Sequence, residues 1–175
     1  MPLDLSRTFV PVNIALLTVS DTRTRDTDQS GDLLAARIEE AGHHLTERHI
    51  MSDDFDSLVA HLRQWTAAAH IDVILTTGGT GVTGRDATPE AVEQLADKHI
   101  PGFGELFRSI SFTKIGTSTI QSRACAAVSN GTFIFALPGS RGAVCDAWDE
   151  ILVHQLDIRL KPCNFVELLP RLKEK

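Results

Sequence analysis

The stretch DVILTTGGTGVTGRDATPEA, from Asp72 to Ala91, decides the fold, because it joins a strand, a glycine-rich loop and a helix. Its first residues form a short apolar run, which predicts a buried strand. Its last residues begin a helix, with Thr88 as the predicted N-cap and Pro89 at the first helical position. A strand, a loop and a helix in this order belong to the unit from which parallel α/β sheets are built.

The same alternation of strands and helices continues on both sides of this stretch. We predict further strands at 13–19, 44–50 and 132–137, and helices at 32–41, 53–69, 88–97, 102–112, 117–128 and 143–156. Crossovers between parallel strands are right-handed and place helices on both faces of the sheet. The sequence therefore predicts an α/β fold with a mostly parallel sheet, whose ligands bind beyond the carboxyl ends of the strands.

The bulk composition limits the class of protein. A chain of 175 residues suits a single domain, which we place at 1–175. The net charge of −6 and the lack of a basic stretch argue against nucleic acid as a partner. No apolar run is long enough to cross a membrane, and no signal peptide is recognisable, so we expect a cytoplasmic protein. Three cysteines without a C-x-x-C spacing argue against disulfides or zinc, and we expect Cys145 and Cys163 to be buried thiols.

The glycine-rich loop contains a literal G-x-G-x-x-G at Gly79, Gly81 and Gly84. A dinucleotide-binding loop runs directly into its helix and is followed about twenty residues later by an acid at a strand end. Here three residues separate the glycines from the helix, and the acid at that distance, Glu105, falls in another predicted helix. No Gly-Lys-Ser/Thr follows, so the loop is not a Walker loop either.

The additional glycine pair, Gly78–Gly79, favours a nest of backbone N–H groups that binds phosphate oxygens. Asp86 follows closely, and a carboxylate beside bound phosphates usually holds Mg²⁺. The alternative is a tight turn in which the glycines only permit a positive φ. We favour the phosphate-binding interpretation, because the loop has more glycines than a turn requires.

Five segments of the chain resemble the MogA/MoaB family of molybdenum cofactor biosynthesis proteins, in family order. They are LTVSDTRTRDTDQSG, TTGGTGVTGRDATPEA, PGFGELFRSISF, GTSTIQSRA and FALPGSRGAVCDAW, and they lie within residues 14–156. GTSTIQSRA and the tail segment LKPCNF are most similar to the MoaB branch. The resemblance implies a three-layer αβα sandwich, the molybdopterin-binding fold, assembled as homotrimers or homohexamers.

The resemblance also implies a nucleotidyl transfer. Family enzymes bind molybdopterin and Mg-ATP, transfer AMP to the terminal phosphate of molybdopterin and release pyrophosphate. The implied function is therefore that of a molybdopterin adenylyltransferase with Mg²⁺ as its cofactor. Its implied partners are the pterin, the nucleotide and further copies of the chain.

Family motifs match individual residues of this chain. The implied nucleotide- and phosphate-binding residues are Ser20, Asp21, Gly78, Gly79, Thr80 and Gly81; the implied molybdopterin-binding residues are Ser122, Pro138, Gly139 and Ser140; the implied catalytic and metal-binding residues are Asp53 and Asp86. Asp54 directly follows Asp53, so the register between these two acids stays open. The attacking group is itself an ionised phosphate, so metal ligation suits the two acids better than proton removal.

Several alternatives stay open beside the resemblance. Arg141 stands where many family members have proline and Ala127 where glycine is common; Arg141 could add a charge that faces phosphate. Arg85 either offsets ligand charge or forms a surface ion pair, and Asp53 also suits a plain N-cap. Ser122, by itself, predicts only a polar residue on a helix.

Two other classes of function are also possible. A non-catalytic molybdopterin- or nucleotide-binding protein would tolerate the loss of Asp86. An NAD-dependent oxidoreductase would require a strand-end acid for the ribose, and the sequence has no convincing candidate for it.

Overall fold

The computed structural model describes residues 3–174, which form one six-stranded sheet flanked by helices. The strands are β1 (Asn13–Val19), β2 (His44–Met51), β3 (Val73–Thr77), β4 (Lys98–His99), β5 (Cys125–Ser129) and β6 (Thr132–Leu137). The helices are α1 (Gln29–Glu40), α2 (Phe55–Ala67), α3 (Thr88–Leu95), α4 (Pro101–Ile115), α5 (Arg141–Ala147) and α6 (Val153–Gln155). A π-helical turn, Trp148–Leu152, joins α5 to α6, and 3₁₀ helices cover Gly116–Gln121 and Val166–Arg171.

The order of the strands creates a crevice at one edge of the sheet. The order is β2-β1-β3-β6-β5-β4, with β2, β1, β3 and β6 parallel and β5 antiparallel to both of its neighbours. From β1 the chain moves outward to β2, whereas after β3 it builds the other half of the sheet. The direction therefore reverses between β1 and β3, and ligands of open α/β sheets bind at such a reversal. The glycine-rich loop lies there, because it follows β3.

Two apolar layers cover the two faces of the sheet. Ile14 and Leu16 of β1 pack into the layer formed with α1, α4 and α5, whereas Ala15 and Leu17 pack into the layer formed with α2 and α3. Central parallel strands are buried on both faces, which explains their continuous apolar sequences. The fold is therefore the expected three-layer αβα sandwich with a mostly parallel sheet.

Most of the predicted elements are confirmed. β1 and β6 have the predicted bounds, and Leu58, Leu62 and Trp65, which recur at helical spacing in α2, are buried. Gly42, which follows α1, has a φ of +86°. Such a left-handed residue is a common end of a helix, and glycine adopts it readily.

The prediction of a helix at 117–128 is wrong. This segment contains all but the first residue of a 3₁₀ helix and then most of β5, which pairs with β6 as a hairpin. The hairpin turn is formed by Asn130 and Gly131, with φ angles of +47° and +79°. Asn-Gly is the preferred pair for such a two-residue turn. Pairing with β6 thus overrides the weak helical preference of the short CAAVS segment.

Smaller corrections concern one cap, one helix end and one cysteine. Thr88 is the first residue of α3 and not its N-cap, since its hydroxyl donates to the carbonyl of Gly78 at 3.0 Å. α3 ends at Leu95, and β4 follows it. Cys163 is exposed and Cys145 is partly buried, whereas both were expected to be buried. Among residues 3–174, no helix has the length and apolar character that a membrane span requires.

Asp28 attaches α1 to the two strands beside it. Its carboxylate accepts hydrogen bonds from the N–H of Gly31 at 2.9 Å, the hydroxyl of Thr18 at 2.7 Å and the guanidinium of Arg48 at 3.0 Å. The side chains of Asp28 and Arg48 are only 1% and 8% exposed. Asp32 also pairs with Arg48 but is 59% exposed. Asp28 thus holds the N-terminus of α1 against the carboxyl half of the sheet.

We predict that Asp28→Ala lowers the free energy of unfolding by about 3 kcal/mol or more, because the buried Arg48 loses its buried partner. Asp32→Ala is the matched control and should cost at most about 1 kcal/mol, as expected for an exposed ion pair. Urea unfolding of both variants measures the difference. Equal, small losses would contradict this role of Asp28.

Candidate functional site

The glycine pair Gly78–Gly79 forms the turn directly after β3. Their φ angles are +106° and +63°, a region that residues with side chains rarely adopt. A Cβ atom on Gly78 would collide with the carbonyl oxygen of Val19 at the end of β1. A Cβ atom on Gly79 would collide with the Asp53 carboxylate and the Thr88 hydroxyl. The turn therefore requires glycine at both positions, for its backbone conformation and for space.

The other two glycines of the G-x-G-x-x-G pattern are under less constraint. Neither Gly81 nor Gly84 has a positive φ; a Cβ atom on Gly81 would lie 2.8 Å from Oδ2 of Asp86, whereas one on Gly84 would project into open space. Helix α3 begins only at Thr88, and Glu105 is an exposed residue of α4. The spacing is therefore coincidental, which agrees with the rejection of a dinucleotide-binding loop.

The turn keeps backbone N–H groups free. The N–H of Gly78 donates to the carbonyl of Leu137 at the end of β6, at 3.0 Å. The carbonyl of Gly79 accepts from the N–H of Thr88 at 3.1 Å. Among residues 3–174, no backbone carbonyl accepts from the N–H of Gly79 or Thr80. The turn thus has the free donors that a nest for an anion requires.

The segment after β6 packs directly on this turn. A Cβ atom on Gly139 would lie 3.2 Å from the Cα atom of Gly78. The hydroxyl of Thr77, the last residue of β3, donates to the carbonyl of Pro138 at 3.1 Å. The ends of β1, β3 and β6 therefore meet at one place, at the carboxyl edge of the sheet.

Serine side chains secure this segment from the helix side. The hydroxyl of Ser30 in α1 donates to the carbonyl of Gly139 at 2.8 Å. The hydroxyl of Ser140 accepts the N–H of Ala143 at 3.2 Å and caps α5. Arg141, the first residue of α5, is exposed. The hydroxyl of Ser140 is therefore already used to cap α5.

Asp53, and not Asp54, faces the glycine turn. Asp54 caps α2 by accepting a backbone N–H at 3.0 Å. Oδ1 of Asp53 is buried beside Gly79 and has no hydrogen-bond partner among the described residues. Burial raises the pKa of Asp53, and the negative charges of Asp21 and Asp86 raise it further. The plain N-cap interpretation of Asp53 is therefore wrong, because the N-cap of α2 is Asp54.

Asp86 lies on the other side of the turn, and hydrogen bonds stabilise its negative charge. Its Oδ2 atom accepts hydrogen bonds from the N–H and the hydroxyl of Thr83, at 2.8 Å and 2.6 Å. Burial alone would raise the pKa of Asp86, but the hydrogen bonds from Thr83 and from the N–H of Gly81 outweigh it, so this pKa is lowered. Asp86 is thus ionised at neutral pH.

A bidentate ion pair joins the loop after β1 to the loop after β3. Nη2 of Arg85 lies 2.7 Å from both carboxylate oxygens of Asp21, and Nε lies 3.1 Å from one of them. The hydrogen bonds from Arg85 lower the pKa of Asp21. Asp21 also accepts the N–H of Asp53 at 3.3 Å. The structure thus shows Arg85 in an exposed ion pair with Asp21, immediately beside Asp53.

Ser122 reaches the turn through its neighbour. It follows the 3₁₀ helix in an extended conformation, so the prediction that it lies on a helix is wrong. The next residue, Arg123, donates its backbone N–H to the carbonyl of Thr80 at 3.0 Å. The segment of Ser122 thus contacts Thr80, the residue after the glycine pair, whereas the segment after β6 contacts Gly78. The two predicted pterin-binding segments meet different parts of the turn.

Two depressions flank the glycine turn. The larger, of about 520 Å³, is lined among others by Phe55, Val82, Gly84, Asp86, Glu90 and Arg123. The smaller, of about 70 Å³, is lined among others by Thr18, Ser20, Arg23, Ser30, Thr77 and Gly139. Only the larger has the volume of an ordinary small-molecule site. A depression of about 560 Å³ beside β4 and the C-terminal 3₁₀ helix contains none of the predicted site residues.

Metal binding by protein ligands alone has no support in residues 3–174, because no three His, Cys, Asp or Glu side chains converge there on one position. Mg²⁺ commonly uses only one or two carboxylates and takes its other ligands from phosphates and water. The orphaned Oδ1 of Asp53, with Asp86 across the turn, fits that pattern.

Comparisons with known proteins identify the family and agree with the fold. Residues 15–158 match a family model described as a probable molybdopterin binding domain. Molybdenum cofactor biosynthesis protein B of Escherichia coli (strain K12) is 47% identical over 161 residues, which cover 92% of this chain and 95% of that protein. A crystal structure of molybdenum cofactor biosynthesis protein B has a TM-score of 0.86 at 39% identity, covering 97% of this chain and 100% of that one. The tungsten cofactor synthesizing protein MoaB from Pyrococcus furiosus has a TM-score of 0.76 at 30% identity, covering 94% and 98%.

The fold and the site together define an α/β protein with a paired-glycine turn and two carboxylates at the reversal point of a mostly parallel sheet. The chain belongs to the MogA/MoaB family of molybdenum cofactor biosynthesis proteins. The family resemblance of the five sequence segments is thereby confirmed.

We predict that Gly78→Ala destabilises the protein by more than about 2 kcal/mol, because the new Cβ atom adds a backbone clash to an unfavourable φ. Gly84→Ala is the matched control within the same loop and should change stability by no more than about 0.5 kcal/mol. Thermal unfolding of the two variants tests this prediction. Similar midpoints for both would show that the turn relaxes easily.

We also predict that Asp53→Asn stabilises the protein at neutral pH. A raised pKa means that the folded state binds the proton more tightly, so ionised Asp53 lowers stability as pH rises from the ordinary value of 3.8 through the folded-state pKa. The unfolding midpoint should rise at pH 7 by about 2–4 °C for each kcal/mol gained. The difference should shrink as pH approaches 4. An unchanged or lower midpoint at pH 7 would contradict the prediction.

Proposed function

We propose that this chain acts in molybdenum cofactor biosynthesis as a molybdopterin adenylyltransferase. In this reaction it binds molybdopterin and Mg-ATP, transfers AMP to the terminal phosphate of the pterin and releases pyrophosphate. The observation that carries the proposal is the Asp53 carboxylate, buried without a partner at one oxygen and facing a turn with free N–H groups. A buried carboxylate of this kind is costly unless a cation or a hydrogen-bond donor arrives.

The cation that suits this position is Mg²⁺ carried by the nucleotide. Asp53 and Asp86 would be its protein ligands, with phosphate oxygens and water as the remaining ligands. When bound, Mg²⁺ would supply positive charge against the transferred and departing phosphates. Asp53 suits such a ligand role, because burial and then the negative charges of Asp21 and Asp86 raise its pKa, and a nearby cation would offset both effects.

The other protein groups would bind and align the phosphates. The free N–H groups of Gly79 and Thr80 would donate to phosphate oxygens, which is the role of a backbone nest. Ser20 and Asp21 would border the nucleotide from the end of β1. In the larger depression, the exposed side chains of Phe55 and Val82 offer an apolar surface for a ring.

The chemistry needs little proton transfer. An oxygen of the molybdopterin phosphate attacks the α-phosphorus of ATP, a new O–P bond forms, and the bond to the β-phosphate bridging oxygen breaks. Pyrophosphate leaves with that electron pair. Catalysis of such a step rests mainly on alignment and on compensation of charge. The two aspartates therefore serve as ligands and not as general bases.

Molybdopterin would be held by Ser122 and by the segment Pro138–Ser140. These segments contact different parts of the glycine turn, so an extended ligand that touches both would lie across the nucleotide phosphates. Self-association as a trimer or hexamer is part of the same proposal. Exposed apolar side chains on α4 and the following 3₁₀ helix support it: Leu106, Phe112, Ile115 and Ile120 are 48%, 56%, 56% and 82% exposed.

We expect purified protein with molybdopterin and Mg-ATP to form adenylated molybdopterin and pyrophosphate. Asp86→Asn should lower the rate by roughly 10²–10³-fold, the usual cost of losing one electrostatic group at a phosphate or oxyanion. Asp53→Asn should lower it similarly while stabilising the fold. Chromatography of the pterin product and a pyrophosphate assay measure both rates.

Asp54→Asn is the matched control, because asparagine caps a helix as well as aspartate does. It should retain the wild-type rate. Binding of both ligands without product, equally in wild type and Asp86→Asn, would instead identify a non-catalytic binding protein of the same pathway.

A further inference from the structure

The proposed reaction does not account for the contacts of Arg123. Its Nε atom donates to the carbonyl of Gly81 at 2.6 Å, and Nη2 donates to the carbonyl of Asp86 at 2.8 Å. Nη1 pairs with the carboxylate of Glu90 on α3. Its own backbone N–H donates to the carbonyl of Thr80 at 3.0 Å. One residue thus contacts both ends of the loop that runs from the glycine turn to Asp86.

These contacts fix the orientation of two peptide planes. In a trans peptide the carbonyl and the N–H of the same plane point in opposite directions. The carbonyl of Thr80 points to Arg123, so the N–H of Gly81 points away from it, and this N–H interacts with the Asp86 carboxylate. The carbonyl of Asp86 also points to Arg123. The N–H of Ala87 then points away, and it interacts with the Asp53 carboxylate.

The guanidinium of Arg123 thus holds the Asp86–Ala87 peptide group and the Gly81 carbonyl, whereas the Thr80–Gly81 peptide group is held by the backbone N–H of residue 123. We propose that Arg123 is a positioning residue, whose guanidinium fixes the loop between Gly81 and Asp86 and so aims Asp86, and through the Asp86–Ala87 peptide group Asp53, at the nucleotide phosphates. This inference rests on the proposed function for the identity of the ligand, but its structural part concerns the free protein. Arginine suits the task because its planar fork reaches two carbonyls and a carboxylate in one fixed geometry.

Lysine cannot replace arginine in this arrangement. A lysine ammonium keeps the positive charge but lacks the fixed fork, so it cannot hold the carbonyls of Gly81 and Asp86 together. The lysine variant therefore distinguishes positioning from direct attraction of phosphate by charge. Direct attraction has to be considered because Arg123 also lines the larger depression. If Arg123 acted by attracting phosphate, Arg123→Lys would bind the nucleotide nearly as well as the wild type. If it acts by positioning, Arg123→Lys fails much as Arg123→Gln does.

Arg108→Lys supplies the matched control. Arg108 holds the same segment through the carbonyls of Ala124 and Ser122, at 3.1 Å and 3.5 Å, but these contacts are not with the loop. A loss that arises from general loosening of the segment would appear in this variant as well. A loss that arises from the loop would not.

The test uses the full chain of the wild type, Arg123→Lys, Arg123→Gln and Arg108→Lys at a temperature where circular dichroism shows each to be folded. Binding of a non-hydrolysable ATP analogue is titrated against Mg²⁺ by calorimetry. Amide hydrogen exchange of Gly81 and Ala87 is measured without ligand. We expect both Arg123 variants to need roughly 10–100-fold more Mg²⁺ for half-maximal binding, the usual cost of losing a group that orients metal ligands. The amide of Ala87 should also exchange faster, and the amide of Gly81 serves as the internal reference, because the backbone N–H of residue 123 still holds the Thr80 carbonyl.

Arg108→Lys should behave like the wild type in both measurements. Wild-type behaviour of Arg123→Lys with impaired Arg123→Gln would overturn positioning in favour of a direct charge contact. Unchanged Mg²⁺ dependence in both Arg123 variants would remove any role for the residue. Faster exchange and a higher Mg²⁺ requirement in the Arg123 variants, with no adenylated product from the wild type, would leave the positioning role intact and refute only the proposed reaction.

Discussion

The close approach of the glycine turn to the ends of β1 and β6 is the constraint on which the site depends. Gly78 lies against the carbonyl of Val19 on one side and against Gly139 on the other, with no room for a Cβ atom. The three strand ends therefore meet in direct backbone contact. Because the loops start from fixed positions, Asp53 and Asp86 can lie against the same turn although they come from different parts of the chain.

Two of the three acids beside this turn, Asp21 and Asp86, have their negative charge stabilised by partners within the chain. Asp21 pairs with Arg85, and Asp86 accepts hydrogen bonds from Thr83, so both keep a lowered pKa. Asp53 receives no comparable compensation at Oδ1, and its pKa is raised. The protein thus carries a local excess of negative charge beside free N–H donors. That combination suits a ligand that is itself an anion but brings a cation with it.

The sequence predicts the layers of the fold because buried parallel strands must be apolar throughout, and β1 and β6 are. It fails at β5, where a short alanine-rich run fits a helix equally well; the Asn130–Gly131 turn was the signal that could have identified the hairpin. Asp53 and Asp54 both suit an N-cap, so only packing distinguishes them. The contacts of Arg123 depend on the orientation of peptide planes, which no spacing of residues reveals.

Asp28 and Asp53 differ in how the fold satisfies their carboxylates. Asp28 satisfies its carboxylate with a hydroxyl, a backbone N–H and Arg48, and all three partners belong to the fold. Asp53 is buried at one oxygen without such partners, although an asparagine would fit there with less repulsion from its acidic neighbours. A protein under selection for stability alone has no reason to keep that charge, since removing it should strengthen the fold. The unsatisfied carboxylate beside the free N–H groups of Gly79 and Thr80 is the feature of the free protein that the proposed ligand would satisfy.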